Sequence, residues 1–291
     1  MANCISLSLL IVINPYFFGA GVFVFTDMLT ILFCLAAVIS FLKDGVTLYI
    51  IFSTLAILCR QYAVIIPIAV IIFFLISFIR KKPINRFYLL GSLLTFLPLI
   101  FLFLFWGNIL PESGIEKWII PNSSFYNLDY IDTYVTFSIV YIFPFALVFL
   151  RKARIKYSNL TIAIIITIAL SFFPVKPSMA TLVLTDFETV GFVHQAISEF
   201  FGYNSIGLKI ILWIFLFIGC YINVEILKRL YIEIKEKRLD RKIILVLLWI
   251  LFLLIMPFSY QVWEKYLTMI LPFFLLSIYM ILFPMNDKSN A

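Results

Sequence analysis

Charged residues are scarce in this sequence, at 13% of its 291 positions. Soluble domains average about 25% charged and about 45–50% apolar residues, whereas here 64% are hydrophobic and the mean hydropathy is +1.12. A soluble globular domain is therefore excluded, and the composition is that of an integral membrane protein. The net charge of +7 does not indicate nucleic-acid binding, because the cations form short clusters between apolar runs and report membrane orientation.

Residues and motifs that bind metals or nucleotides are also missing. There is one histidine, and the four cysteines lie apart in apolar segments with no CxxC spacing, at positions Cys4, Cys34, Cys59 and Cys220. This distribution predicts buried thiols and neither disulfides nor zinc. No P-loop, HExxH or GxSxG motif occurs, and no glycine-rich motif follows a strand. We expect no cofactor and no resident metal.

Long apolar runs fill most of the chain. One membrane crossing needs roughly 20 apolar residues, and by this measure the sequence predicts about ten crossings. They lie near 3–21, 25–43, 46–59, 62–79, 87–106, 133–150, 159–174, 207–227, 243–258 and 266–284. No repeat, linker or separable soluble domain interrupts them. The predicted fold is an all-α, polytopic transmembrane helical bundle in which 1–291 is a single membrane domain.

The loops predict how the bundle is oriented. Lysine and arginine concentrate in alternate connections, at 80–86, 151–156 and 228–242, and the positive-inside rule places these on the cytoplasmic side. Both termini are then cytoplasmic, and the two long loops 107–132 and 175–206 lie on the opposite face. Such a chain is a multi-pass protein of the plasma membrane in a prokaryote or of the endoplasmic reticulum in a eukaryote.

Arg60 is the only charged residue in the apolar run from Val46 to Ile79. A lone cation at mid-membrane is costly, so it normally lies at a helix end, faces an aqueous cavity or binds an anion. The run is too long for one crossing at 1.5 Å per residue. We therefore expect two short helices that meet at Arg60-Gln61, with the arginine at the tip of a helical hairpin.

The predicted topology brings four distant charges to the external face. They are Asp27, Arg60, Glu264 and Lys265. Carboxylates and cations at an apolar boundary suit a lipid-phosphate substrate, because the cation binds the phosphate and a carboxylate takes a proton from an attacking hydroxyl. The alternative is structural: Arg60 pairs with Asp27 or Glu264 and only stabilises the fold. The lone histidine, His194, is interpreted as a bystander.

Three short segments resemble a known family. They are NPYFFGAGVFVFTDML, LAILCRQYAVIIP and VWEKYLTMILPFF, and they are similar to the GT-C superfamily of polytopic glycosyltransferases, in particular to the dolichyl-phosphate-glucose α-1,2-glucosyltransferases and their prokaryotic relatives. The features that carry the resemblance are Thr26-Asp27, Arg60-Gln61 and Glu264-Lys265-Tyr266 followed by Pro272. Lys265 lies at a position where the family more often has arginine. A lysine ammonium cannot bind a phosphate through two parallel N–H groups as a guanidinium does.

The resemblance implies a GT-C-like fold and sugar transfer from a polyprenyl- or dolichyl-phosphate donor to a glycan or lipid-linked acceptor at the lumenal or extracytoplasmic face. It assigns donor binding to Arg60, Gln61, Lys265 and Tyr266. Asp27 and Glu264 are the candidate catalytic carboxylates, which orient the cations or bind acceptor hydroxyls. The bilayer is the other expected partner, and nucleic acid is not expected.

One feature of the family is missing from the sequence. GT-C enzymes usually take their catalytic base from an acidic residue in the first external loop, and we expect this chain to begin downstream of such a loop. We expect the true start to lie upstream of Met1; the alternatives are that the base is supplied otherwise or that the protein is inactive alone. Two other functions remain open: a transporter or flippase for an anionic lipid or small molecule, and an inactive membrane scaffold. Transporters tend to contain internal repeats, and none is visible here.

Overall fold

A computed structural model describes most of the chain, namely residues 26–83, 85–108, 126–152, 156–178, 181–182, 188–236, 240–259 and 261–282. The expected first span at 3–21 and most of the external loop 107–132 lie outside these ranges. All six candidate site residues lie within them.

The described residues form helices and connections, with no strand among them. This confirms the all-α class. The α-helices are α1 Thr26–Leu42, α2 Val46–Cys59, α3 Ile65–Ile79, α4 Arg86–Leu94, α5 Leu97–Trp106, α6 Asp129–Tyr141, α7 Phe143–Lys152, α8 Tyr157–Leu170, α9 Phe192–Phe201, α10 Ile206–Lys235, α11 Ile243–Ile255 and α12 Leu267–Leu282. Short 3-10 turns cover Gln61–Val64, Met256–Phe258 and Glu264–Tyr266.

Three helical stretches of the described chain are long and apolar enough to cross a membrane. They are Gln61–Ile79, Arg86–Trp106 and Ile206–Lys235, and the pair α6 and α7 would make a fourth if it counts as one broken span. Four further apolar helices are shorter, at Thr26–Leu42, Val46–Cys59, Tyr157–Leu170 and Ile243–Phe258. The structure therefore supports a membrane protein, and it supports the expected ten spans only in part.

The expected span at 133–150 is interrupted by a bend. The chain bends by 86° between α6 and α7, and Ile142 lies between the two helices. Pro144 follows in the first turn of α7, where its missing N–H is tolerated but a continuous helix through the junction would lose a hydrogen bond.

Helix packing gives one continuous core. Helix α1 packs on α2, α10 packs on α6 and α8, and α11 packs on α3 and α12. The indole of Trp249 stacks on Phe274 with ring centroids 4.0 Å apart. Helices α10 and α6 approach closely at Gly219, where an added Cβ would lie 2.6 Å from Cγ1 of Val135 and 2.9 Å from its carbonyl oxygen. Only glycine fits there without a backbone shift.

Large apolar side chains cover the outer surface of α4 and α5. Phe87 is 73% exposed, Phe101 68% and Leu104 77%. Exposed apolar patches of this extent are rare on soluble monomers, but they match a surface that faces lipid tails. This surface supports the membrane assignment independently of helix length.

Arg241 fixes the opposite, cation-rich end of the bundle. Its guanidinium donates to the carbonyl oxygen of Phe41 at 3.0 Å and to Oδ1 of Asp44 at 2.9 Å. It also lies over the ring of Tyr88, 5.5 Å from the centroid. The connection between α1 and α2 is thereby held against the start of α11.

Candidate anion-binding site

Arg60 lies at a break between two helices, as predicted. Helix α2 ends at Cys59, and Arg60 has an extended backbone with φ −149° and ψ 121°. The next residue, Gln61, begins the 3-10 turn that leads into α3. Helix α2 packs chiefly on α1 and helix α3 on α11, so the break directs the arginine towards the start of α1.

Asp27 holds the guanidinium of Arg60. The Nη2 group donates a hydrogen bond of 3.0 Å to Oδ2, and Nε lies 2.8 Å from Oδ1 without the alignment of a hydrogen bond. Asp27 lies in the first turn of α1, where a carboxylate is stabilised by the helix dipole. Its side chain is 10% exposed and that of Arg60 is 33% exposed. Among the described residues, no acceptor lies within hydrogen-bond distance of Nη1.

Two tyrosines enclose this ion pair. The hydroxyl of Tyr62 donates to Oδ1 of Asp27 at 3.0 Å. The ring of Tyr62 meets the ring of Tyr266 edge to face, with centroids 5.5 Å apart. The turn after Arg60 therefore contacts the turn before α12, and Tyr266 lies beside the arginine although the two are far apart in sequence.

Lys265 brings a second cation to the same place. Its ammonium lies 5.3 Å from the ring centroid of Trp263 and 5.7 Å from that of Tyr266, within the range of cation–π contacts. Partial burial lowers the pKa of Lys265; Asp27 opposes this shift and Arg60 adds to it. No carboxylate of the described chain forms an ion pair with it.

The neighbours of Arg60 keep its guanidinium protonated. Burial works to lower the pKa of Arg60, but Asp27, Tyr62 and Tyr266 together raise it above its ordinary value. The carboxylate of Asp27 is bonded to Arg60 and acts on Lys265 only through its charge. This arrangement leaves local positive charge and unused N–H donors, which are the requirements of an anion site.

Glu264 is fully buried, and the hydrogen bonds described for its carboxylate are with groups other than Arg60. Its carboxylate accepts hydrogen bonds from the main-chain N–H groups of Val193 at 3.0 Å and His194 at 2.6 Å, in the first turn of α9. It also accepts the hydroxyl of Tyr141 at 2.7 Å, and its own N–H donates to Val190. Glu264 thus anchors α9 and fixes the turn that carries Lys265.

The structure brings five of the six predicted site residues to one place: Asp27, Arg60, Gln61, Lys265 and Tyr266. The sixth, Glu264, is adjacent in the chain, but its carboxylate serves the N-terminus of α9. Within the described ranges, no group of three His, Cys, Asp or Glu side chains could hold a metal ion.

Sequence reasoning missed two groups of partners. Tyr62 was not singled out, although a tyrosine two positions after a lone arginine could have indicated a partner for its carboxylate. The contacts of Glu264 left no such signal, because main-chain N–H groups are the same for every residue except proline.

Comparisons with protein-family models, with characterised proteins and with solved structures found no match.

Proposed function

We propose that this chain is a membrane glycosyltransferase of GT-C type, which transfers a sugar from a polyprenyl-phosphate carrier to a hydroxyl acceptor at the external face. In this proposal the apolar helices form about ten crossings, with the shorter ones crossing where the bilayer is locally thinned. The observation that carries the proposal is the nearness of two cations at a helix break. Arg60 is bonded to Asp27, and Lys265 lies over the ring of Tyr266, which contacts Tyr62.

The leaving group explains why two cations are useful. The acceptor oxygen bonds to the anomeric carbon, the bond from that carbon to the phosphate oxygen breaks, and the acceptor proton passes to a base. The carrier leaves as a phosphate monoester and gains one negative charge. Arg60 and Lys265 would stabilise that developing charge, which is where preorganised donors accelerate a reaction most. Asp27 acts here as the group that orients Arg60.

A transfer assay tests the proposal. The full chain is reconstituted in proteoliposomes with a radiolabelled polyprenyl-phosphate sugar, an extracted glycolipid acceptor pool and no sugar nucleotide. Labelled glycosidic product should form. The variant Arg60→Lys, which keeps the charge but loses the planar fork, should reduce the rate while folding is retained.

Arg86→Ala provides the matched control, since Arg86 is an exposed arginine at the start of α4 outside the proposed site. Its activity should equal that of the wild type. If labelled donor crosses the bilayer and no glycosidic product appears, the transferase is refuted and a flippase for the anionic lipid takes its place.

A further inference from the structure

A second concave site lies beside α9. A cavity of about 680 Å³ is enclosed by α6, the segment after α8, α9 and the first half of α10. This volume is within the range of roughly 300–1,000 Å³ that is typical of small-molecule sites. Asp27, Arg60 and Lys265 do not line it, so it is separate from the anion site.

The deep part of the cavity contains unused polar groups. Ser198 is 1% exposed, and its hydroxyl has no hydrogen-bond partner among the described residues. Buried polar groups are nearly always paired, so an unpaired hydroxyl that lines a cavity indicates a ligand. Asp132 is also buried; its Oδ1 accepts the hydroxyl of Thr136 at 2.9 Å, which leaves further acceptor capacity on the carboxylate.

His194 supplies a donor to the same lining. Its Nδ1 accepts the main-chain N–H of Val190 at 3.2 Å, so the neutral imidazole carries its proton on Nε2. The lining therefore contains three kinds of hydrogen-bonding group. The carboxylate of Asp132 accepts, the Nε2–H of His194 donates, and the hydroxyl of Ser198 can do either. A ligand hydroxyl, which both donates and accepts, satisfies such a set.

The outer part of the cavity is aromatic and apolar. Trp213 is 44% exposed and Tyr203 46% exposed, and the indole N–H of Trp213 donates to Ser171 at 3.0 Å, which fixes the ring. Further inside, leucines four residues apart on α10 form an apolar strip, at Leu208, Leu212 and Leu216. Rings of this kind pack against the C–H face of a sugar, and the strip suits a short alkyl chain.

The charges of the lining argue against a simple ion site. Lys176 lies at the exposed rim with its ammonium 3.7 Å from Asp129, and Lys209 is exposed. The deeper ionisable group is the buried carboxyl of Asp132, and Glu188 adds a second acid to the lining. Neither group favours a bound anion. We propose that the cavity binds the sugar head group of a glycoside, with the aglycone along the leucine strip. The inference that this cavity is the acceptor site of a transferase rests on the proposed function. The inference that it binds a glycoside does not depend on that function.

Glu264 connects the two sites physically. Its carboxylate anchors the first turn of α9, which carries His194 into the cavity, and the next residue, Lys265, belongs to the anion site. The turn that contains Glu264 and Lys265 would therefore fix an acceptor in the cavity relative to a donor phosphate at Arg60. A reaction between two substrates requires such a fixed relative position.

Binding is measured on the full chain in lipid nanodiscs, with empty discs subtracted. The probes are hexyl β-D-glucoside, hexyl α-D-mannoside and hexyl N-acetyl-β-D-glucosaminide. At least one should bind saturably, and 2-(hexyloxy)tetrahydropyran, which has the ring without hydroxyls, should bind at least tenfold more weakly because the polar groups stay unpaired. Equal binding of the pyran, no binding of any glycoside, or tighter binding of hexyl phosphate or hexylammonium would each overturn the proposal.

Two variants locate the binding. Ser198→Ala should weaken glycoside binding roughly fivefold to tenfold while thermal stability stays equal or rises, since an unpaired buried hydroxyl is removed. Trp213→Ala should weaken it about tenfold. The control is Ile214→Ala, because Ile214 is 42% exposed on the same helix and does not line the cavity. Unchanged affinity in both test variants would place the probe elsewhere and refute the assignment.

A lipid-phosphate probe separates this inference from the proposed function. Binding of a short polyprenyl phosphate should depend on Arg60 and be insensitive to Ser198→Ala. Glycoside binding without sugar transfer retains the cavity assignment and refutes the transferase. Transfer that proceeds in Ser198→Ala and Trp213→Ala with unchanged KM for the acceptor refutes the cavity as acceptor site and retains the transferase.

Discussion

The carboxylate of Glu264 lies 2.6 Å from the main-chain nitrogen of His194, although 70 positions separate the two residues. The contact places a negative charge at the positive end of α9, where a helix dipole favours it. It also determines where Lys265 can lie, because the two residues share one 3-10 turn. Glu264 of this turn therefore binds the N-terminus of α9, and Lys265, the next residue, belongs to the candidate anion site.

Replacing Glu264 by Gln should destabilise the protein by about 2 kcal/mol, since the hydrogen bonds to a charged group are weakened and the amide N–H₂ takes the place of an oxygen that accepts a main-chain N–H. Tyr141→Phe, which removes the hydrogen bond from the Tyr141 hydroxyl to Glu264, should cost about 1 kcal/mol. Thermal unfolding in mild detergent measures both. A Glu264→Gln protein as stable as the wild type, with lost donor binding, would contradict the anchoring role.

Arg60→Ala should weaken donor binding by roughly 10- to 150-fold, the equivalent of a charge-assisted hydrogen bond on the order of 1.5–3 kcal/mol. Binding of polyprenyl phosphate and thermal stability are measured on this variant and on Arg60→Ala combined with Asp27→Asn. Retained stability with weak binding supports the phosphate site. Poor stability rescued by the second change, with intact binding, would make Arg60 one half of a structural salt bridge.

The contribution of His194 to stability should fall as the pH drops from about 6.5 towards 4. Burial lowers the pKa of His194 to about 4, whereas an unfolded histidine has a pKa of about 6.5. Between these values the unfolded chain binds more protons, so the free energy of unfolding rises with pH. Protonation of Nδ1 would also remove the hydrogen bond from Val190.

The variant His194→Asn tests this dependence, because its carbonyl oxygen can accept from Val190 without titrating. As the pH drops from 7 to 4, the unfolding midpoint of the wild type should fall relative to that of the variant. Carboxylates titrate over part of this range in both proteins, so the difference between the two profiles is the relevant quantity. Identical profiles would show that His194 does not contribute.

Gly219→Ala should destabilise the protein by about 1–3 kcal/mol, because the new methyl group overlaps Val135 on α6. Gly207→Ala is the matched control on the same helix, since its Cβ would meet nothing closer than 3.6 Å. That change should be neutral or slightly stabilising. Equal effects of the two substitutions on thermal unfolding would show that α10 and α6 are not in close contact.

Asn159 should remain unglycosylated in a eukaryotic host, although Asn159-Leu160-Thr161 is a sequon. Its side chain is buried, bonds to Glu225 and accepts from Lys228 at 3.1 Å. It also lies at the cytoplasmic end of the predicted topology. The sequon at Asn122, in the external loop, is the positive comparison. A mobility shift that is lost in Asn159→Gln would contradict both the packing and the orientation.

The sequence allowed the meeting of Asp27 and Arg60 to be predicted, because charges in an apolar chain are few and topology places them at one depth. It did not reveal the bend at Ile142, since Pro144 alone is compatible with a kink, a helix start or a loop. It also gave no sign that Asp132 is buried, because an acidic residue near a long loop resembles any solvated carboxylate. Burial of Asp132 depends on α9 and α10, which contact α6 only in the folded protein.

Under the proposed function, the contact of Lys265 with two aromatic rings affects how fast the spent carrier is released. Its ammonium lies over the rings of Trp263 and Tyr266, whereas the carboxylate of Asp27 is bonded to Arg60. Asp27 is therefore not positioned to displace a departing product from Lys265. The spent carrier phosphate carries one more negative charge than the sugar-loaded carrier and should bind more tightly. Turnover would then be limited by carrier release, with strong product inhibition and a rate that rises with ionic strength.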